Sequence, residues 1–301
     1  MTQPANTFQA LIFDLDGTLI DSAPDCRASI NRVLAELGRR ELTLEETKDM
    51  VGWGGRVLVE KALIQTGEAG TPEDIDRALD AFLKTYAAHP ADHTTVFPGV
   101  LEALEKFKAD RIKMGICTNK PTATTPPVLK ATRLDGFFAV VSCGDAVPHK
   151  KPDGRHVLHC VEQLGATPET TIMVGDSEND IRAAIDAGVR SVCVTFGYAH
   201  VPLDEIGADA LIDHFDDLAG RLAEQGFGVL ALEIYRRESE VAIENPGAWM
   251  RNLSDPQILS DIEAAAAFLR EQPETRGAKV GVVGFCMGGM YALLAGCGPG
   301  G

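Results

Sequence analysis

The feature that most constrains this chain is an alternation. Short β-branched apolar runs, ALIFDLD (10–16), IKMGICT (112–118), FAVVSC (138–143), TIMVGD (171–176), SVCVTF (191–196) and ALI (210–212), are separated by stretches with helical spacing of their apolar residues. The runs are apolar almost without interruption, as expected of strands buried on both faces. Strands that alternate with helices imply a parallel sheet covered on each side, so the sequence predicts an α/β, Rossmann-like fold. Residues 22–92 break the rhythm and read as helices only: APDCRASINRVLAELG, RVLVEKALIQTG and TPEDIDRALDAFLKTYAAH. An all-helical insert after the first strand predicts a cap, with the core formed by residues 1–21 and 93–217. The pattern changes again after Asp217, so residues 218–301 read as a separate piece. A length of 301 residues suits more than one domain.

Charge and cysteine content exclude several functions. Lys and Arg number 28 against 44 Asp and Glu, a net charge of −16. Such a surface repels phosphate backbones and anionic membranes, so no nucleic-acid or membrane partner is expected, and an anionic substrate needs a local positive pocket. The seven cysteines form no C-x-x-C pair and several lie in apolar runs, as expected of reduced thiols in a reducing compartment. The start, MTQPANTFQA, lacks the basic and apolar regions of a signal peptide, which points to the cytoplasm. Val280–Gly301 carries no charge but holds eight glycines, which reads as a buried strand and turn rather than a membrane helix.

Chemistry concentrates where the apolar runs end. The first closes on Asp14-Leu15-Asp16-Gly17-Thr18, and strand alternation predicts both carboxylates on one side of the crevice. TIMVGD is followed by Ser177-Glu178-Asn179-Asp180, which places Asp176 at a strand tip and Asp180 one helical turn later. Clustered acids are costly unless a cation neutralises them, and oxygen-only ligands suit Mg²⁺. IKMGICT is followed by Asn119-Lys120 and offers the Thr118 hydroxyl; His149-Lys150-Lys151-Pro152-Asp153 offers an ammonium. Alone, the Asp14–Thr18 piece reads equally well as a turn, the Asp176–Asp180 piece also as a capped helix, and the Thr118 and Lys151 pieces read better as a turn and as solvated lysines. Their order along the chain is what carries the reading.

DLDGT, Thr118, Lys151 and GDSEND in that order resemble the four motifs of the haloacid dehalogenase-like superfamily, over about residues 8–217. The resemblance implies that Asp14 attacks phosphorus to form an aspartyl-phosphate and that Asp16 protonates the leaving oxygen and then activates water. It implies that Thr118, Asn119 and Lys151 bind the phosphoryl group. It also implies that Mg²⁺ is held by Asp14, Asp16 (through its carbonyl), Asp176 and Asp180. An alkoxide leaving group needs a proton whereas a halide does not, so the acid at Asp16 favours phosphate esters over haloacids. DLDGTLIDSAPD, VGWGGRVLVEKAL, CTNKP and SCGDAVPHKKPDG further resemble bacterial phosphoglycolate phosphatases. That implies 2-phosphoglycolate as substrate, with Arg56 of the cap pairing with its carboxylate. A sugar-phosphate phosphatase or phosphomutase of the same superfamily is the alternative.

The last segment resembles another family. Gly284-Phe285-Cys286-Met287-Gly288 follows an apolar run and fits a nucleophile elbow with Cys in place of Ser. With GFGVLALEIYRR it resembles the middle of a dienelactone hydrolase, an incomplete α/β-hydrolase-like piece. In that fold the acid and base follow the nucleophile, yet MGGMYALLAGCGPGG contains no Asp, Glu or His. The expectation is a truncated fragment joined to a phosphatase, as a gene fusion or a frameshift would leave. Ester hydrolysis by Cys286, or docking of a partner through this segment, are the competing readings.

Overall fold

The computed structural model describes residues 8–215 and Leu218. The chain divides into two compact units, Met1–Ala219 and Gly220–Gly301. The second lies outside the described residues, and with it the strands expected at 229–235 and 280–285 and the elbow at Cys286.

The first unit is built on a six-stranded sheet. Its strands are β1 (Ala10–Phe13), β4 (Lys113–Cys117), β5 (Val140–Ser142), β6 (Thr171–Gly175), β7 (Arg190–Val194) and β8 (Ala210–Ile212). All neighbours pair in parallel, in the order β5-β4-β1-β6-β7-β8. The expected Rossmann-like sheet is therefore present, and every apolar run contributes a strand. The chain leaves β1 for β4 and β5 on one side, then returns to β6 on the other. Strand order thus reverses at β1, which opens a crevice beyond the carboxyl ends of β1 and β6.

Alternation along β1 divides the core. Ala10 and Ile12 pack with Val157, Cys160 and Val161 of α7 (Gly154–Gln163) and with Ala183 and Ala184 of α8 (Glu178–Asp186). Phe13 faces the other way, with its ring 6.1 Å from Phe138 and 6.3 Å from Phe215. The same cluster continues through Phe196 to Phe97. The remaining core helices are α5 (Val100–Ala109) and α6 (Thr125–Ala131). The cysteines at 26, 117, 143, 160 and 193 are free and buried. Among the described residues, no helix is long and apolar enough to cross a membrane.

The helical insert stands on a small antiparallel pair, β2 (Ile20–Asp21) with β3 (Thr95–Val96). Between them lie α1 (Ala23–Glu36), α2 (Leu44–Lys48), α3 (Gly55–Thr66) and α4 (Pro72–Ala88). Four helices stand where the sequence predicted three. The extra one, α2, is a single turn whose Thr43 and Glu46 form a capping box. Asp25, buried in the first turn of α1, ties the stalk together. Its carboxylate accepts from the Thr94 amide and hydroxyl, both at 2.7 Å, and from the His93 amide at 3.0 Å. Asp25→Ala removes the acceptor from three donors at once. The expected result is a loss of about 2–3 kcal/mol in chemical denaturation, and an unchanged midpoint would show that this tie does not hold the insert.

Candidate active site

The crevice floor is assembled from strand tips. β1 ends at Phe13, earlier than the run 10–16 suggested, so Asp14 and Asp16 lie in the turn beyond it. The Asp14 amide still donates to Val174 O of β6 at 2.9 Å, which keeps its side chain over the seam between the two strands. Gly17 then turns the chain with φ +90. A Cβ there would fall 2.3 Å from Asp176 Oδ2, so glycine is what lets the two loops meet.

Asp14, Asp176 and Asp180 converge. One carboxylate oxygen from each lies within 4.8 Å of the others, and all three residues are buried. Asp176 sits just past β6 and accepts from Thr18 Oγ1 at 2.8 Å and the Tyr198 amide at 2.7 Å. Asp180 lies in the first turn of α8, where its Oδ2 accepts from the Asp176 and Ser177 amides and from Ser177 Oγ. It is thus both half of a capping box and part of the acidic cluster; the two roles coexist on opposite oxygens. Its Oδ1 accepts from Lys151 Nζ at 2.5 Å, and the same ammonium lies 2.8 Å from Asp14 Oδ1.

Burial dominates the electrostatics. It pushes the Asp14 carboxyl up to about 7, against the lowering pull of Lys151 and with the help of repulsion from Asp180. Asp176 is likewise held well above the usual carboxylate range by burial and then by Asp180 and Asp14. Burial alone would lower Lys151, but the Asp14 and Asp180 carboxylates more than offset it, and the ammonium is held above its ordinary value. In the floor of the crevice Asp14, Asp16, Asp176 and Asp180 face Lys120 and Lys151. With all four carboxylates ionised, two negative charges are left over, the charge of one divalent cation. An all-oxygen donor set with that excess fits a hard cation such as Mg²⁺ or Mn²⁺.

Thr118 and Asn119, the residues expected to meet the phosphoryl group, lie just past β4. Both are buried and line the crevice. Asn119 Nδ2 is spent on two carbonyls, Gly52 O and Lys151 O, each at 2.9 Å. Lys150 Nζ donates to Trp53 O at 3.0 Å. These contacts draw the loop at Gly52–Gly54 over the crevice, where Val51, Leu58 and Phe82 of the insert form an apolar wall.

The structure does not bring Arg56 to this crevice. Its guanidinium pairs with Glu60 one turn on in α3, at 3.0 Å, and with Asp76 of α4. Nearby carboxylates of the insert itself have captured the charge expected for a substrate. Two residues to which the sequence reading gave no role, Lys120 and Tyr86, line the crevice instead. Lys120 is buried against Asp16 at 2.9 Å and against Tyr86 Oη at 2.9 Å. Lys120 was visible beside Thr118; Tyr86 occupies an ordinary inward position on an amphipathic helix and carried no signal.

The family model for haloacid dehalogenase-like hydrolases matches residues 11–194. The chain belongs to the haloacid dehalogenase-like hydrolase family. It is similar to the phosphoglycolate phosphatase of Agrobacterium fabrum (strain C58), with 40% identity over 215 residues, covering 71% of this chain and 92% of that protein. The phosphoglycolate phosphatase of Caulobacter vibrioides is also 40% identical, over 69% of this chain and 88% of its own length. Among solved structures, one described as a predicted phosphoglycolate phosphatase from Haemophilus somnus superposes with a TM-score of 0.68 at 30% identity, covering 71% of this chain and 97% of that one. CbbY from Rhodobacter sphaeroides, solved with xylulose-(1,5)bisphosphate, gives 0.63 at 25% identity, over 70% and 96%. A second model, the dienelactone hydrolase family, matches residues 201–299. It begins ahead of the boundary expected at 218 and takes in β8, which pairs with β7 of the first unit.

Lys151 is the cation on which this floor depends. Lys151→Met leaves Asp14 and Asp180 buried without their shared ammonium. In cation-free buffer the expected loss of unfolding free energy is about 3 kcal/mol or more. Part of it should return in the Lys151→Met, Asp180→Asn double variant; a loss below about 1 kcal/mol would contradict the pairing.

Proposed function

We propose that the chain is a phosphomonoesterase that forms an aspartyl-phosphate on Asp14, with 2-phosphoglycolate as substrate and Mg²⁺ as its cation. The observation that carries the proposal is the placement of Asp14, buried at a strand tip, against Lys151 and within reach of Asp176 and Asp180. The phosphoglycolate phosphatases to which the chain is similar support the substrate. On the side of the insert the crevice is walled by Met50, Val51, Leu58 and Phe82.

The residues divide the work. Asp14 Oδ attacks phosphorus while Lys151 and the Thr118 hydroxyl hold the phosphoryl oxygens and offset repulsion between carboxylate and phosphate. Asp16 gives a proton to the leaving alkoxide, and later takes one from the water that attacks phosphorus. Asp14, Asp176, Asp180 and the Asp16 carbonyl would hold Mg²⁺, which supplies charge stabilisation to the phosphoryl oxygens when bound. The loop at Gly52–Gly54 keeps bulk water from the acyl-phosphate. Five free buried cysteines accord with a reducing cytoplasm.

A second reading draws on the dienelactone hydrolase match, which spans Cys286. It predicts ester hydrolysis that is lost in Cys286→Ala, whereas phosphate release is expected to be indifferent to that change.

The test of the main reading is phosphate release from a panel of esters with and without Mg²⁺. Asp14→Asn should lower kcat by at least about 10³-fold. Chelation should abolish turnover, and a clear preference for hexose phosphates would replace phosphoglycolate as the substrate. Proton and cation compete for Asp14, whose carboxyl is pushed up to about 7 by burial. The Mg²⁺ concentration for half-maximal activity should therefore rise as pH falls from about 8 to about 6. An undiminished Asp14→Asn enzyme, or a pH-independent Mg²⁺ requirement, would contradict the assignment.

A further inference from the structure

Asp16 does not stand free beside Asp14. Its Oδ1 accepts from Ser22 Oγ at 2.5 Å and from Lys120 Nζ at 2.9 Å, and its Oδ2 lies 3.2 Å from the same nitrogen. Lys120 follows Thr118 by two residues, so its ammonium rises from the sheet next to the phosphoryl site. It is buried, donates to Tyr86 Oη at 2.9 Å and lies 4.4 Å from the centre of the Tyr86 ring. Tyr86 belongs to the last helix of the insert, α4, and is itself 1% exposed. A chain of direct contacts therefore runs from the helical insert, through one ammonium, to the group read as acid and base.

Of the two buried ammoniums at the crevice floor, Lys151 is engaged by Asp14 and Asp180, whereas Lys120 pairs with Asp16. Burial alone would lower the Lys120 ammonium, but Asp16 and then Tyr86 more than offset it and hold it well above its ordinary value. An ammonium in such a site fixes the direction of the carboxylate it meets far better than water would.

We propose that Lys120 is a positioning residue for Asp16, and that Tyr86 makes the positioning conditional on the insert being seated over the crevice. The inference rests on the reading of Asp16 given above. In the first half-reaction, the bond from Asp14 Oδ to phosphorus forms as the bond to the leaving oxygen breaks. That oxygen keeps the electron pair and takes the proton from Asp16. The carboxylate left on Asp16 is met by the Lys120 ammonium. In the second half-reaction a water oxygen bonds to phosphorus, its proton passes to Asp16, and the bond from Asp14 to phosphorus breaks to restore the carboxylate. No further reactant is needed. Asp16 changes charge in each half beside a cation that does not move, with Ser22 fixing its second direction. When α4 leaves the core, Lys120 loses the Tyr86 hydroxyl and ring, water reaches the ion pair, and the hold on Asp16 relaxes.

The test is a double-mutant cycle on kcat, measured with 2-phosphoglycolate and with p-nitrophenyl phosphate, whose leaving group needs no proton. Lys120→Met should lower kcat about 10- to 100-fold with KM within about threefold. The same change should have no further effect in Asp16→Asn. Tyr86→Phe, which removes one oxygen, should lower kcat about three- to tenfold in the wild-type background and leave Lys120→Met unaffected. Lys120→Arg should restore part of the rate. The Lys120→Met, Asp16→Asn protein removes both charges of the pair, so it folds even where Lys120→Met alone strands a buried carboxylate. Independent effects of Lys120 and Asp16 would overturn the inference. So would a raised KM with kcat intact, since Lys120 would then bind substrate. A wild-type protein that hydrolyses no phosphate ester would overturn the proposed function and this inference with it.

Discussion

Everything at the crevice depends on how like charges are kept together out of water. Carboxylates just past the tips of β1 and β6 meet at a buried point, where burial first and neighbouring carboxylates second raise the affinity of Asp14 and Asp176 for protons. One ammonium, Lys151, bridges Asp14 and Asp180 across that point. A second, Lys120, does the same for Asp16. Two such pairs leave an excess of negative charge that the protein does not neutralise by itself. A floor of this kind is poised to take up a divalent cation and, with it, a phosphate dianion that carboxylates alone would repel.

Topology makes the meeting possible. The reversal of strand order at β1 leaves its tip beside that of β6, and β4 flanks it on the other side. Residues far apart in sequence thereby become neighbours without any long loop. Small residues complete the approach: a Cβ at Gly17 or Gly197 would overlap Asp176. The insert on its two-stranded stalk meets the crevice through the loop at Gly52–Gly54, where the carbonyls of Gly52 and Trp53 are grasped by Asn119 and Lys150.

Much of this was legible in the sequence, and the exceptions share a cause. Strands were readable because burial on both faces makes them continuously apolar, and the acidic tips stood out because carboxylates at the end of apolar runs are costly. The ends were less clear. Asp14 and Asp16 extend the apolar run of β1 but leave the ladder at Phe13, since Gly17 and the bridge from Asp16 to Ile20 turn the chain at once. The stalk strands, two residues each, are too short for a periodic signal. The one-turn helix α2 escaped the reading because its capping pair, Thr43 and Glu46, has no apolar run behind it. Arg56 and Tyr86 depended on what folds against them. Arg56 found Asp76 on another helix, and Tyr86 found Lys120 on the sheet. No spacing along the chain encodes either partner.

The central claim is that the Asp14 carboxylate, held by Lys151 over the acidic cluster, is the atom group that receives phosphate. Acid-quenched protein from a turnover mixture of 2-phosphoglycolate and Mg²⁺, cleaved and mapped by mass spectrometry, tests it most directly. The predicted result is an acid-stable, base-labile phosphate on the peptide that contains Asp14, absent when Mg²⁺ is chelated. Phosphate carried by any other residue, or turnover at full rate with no phosphorylated peptide at any time, would contradict it.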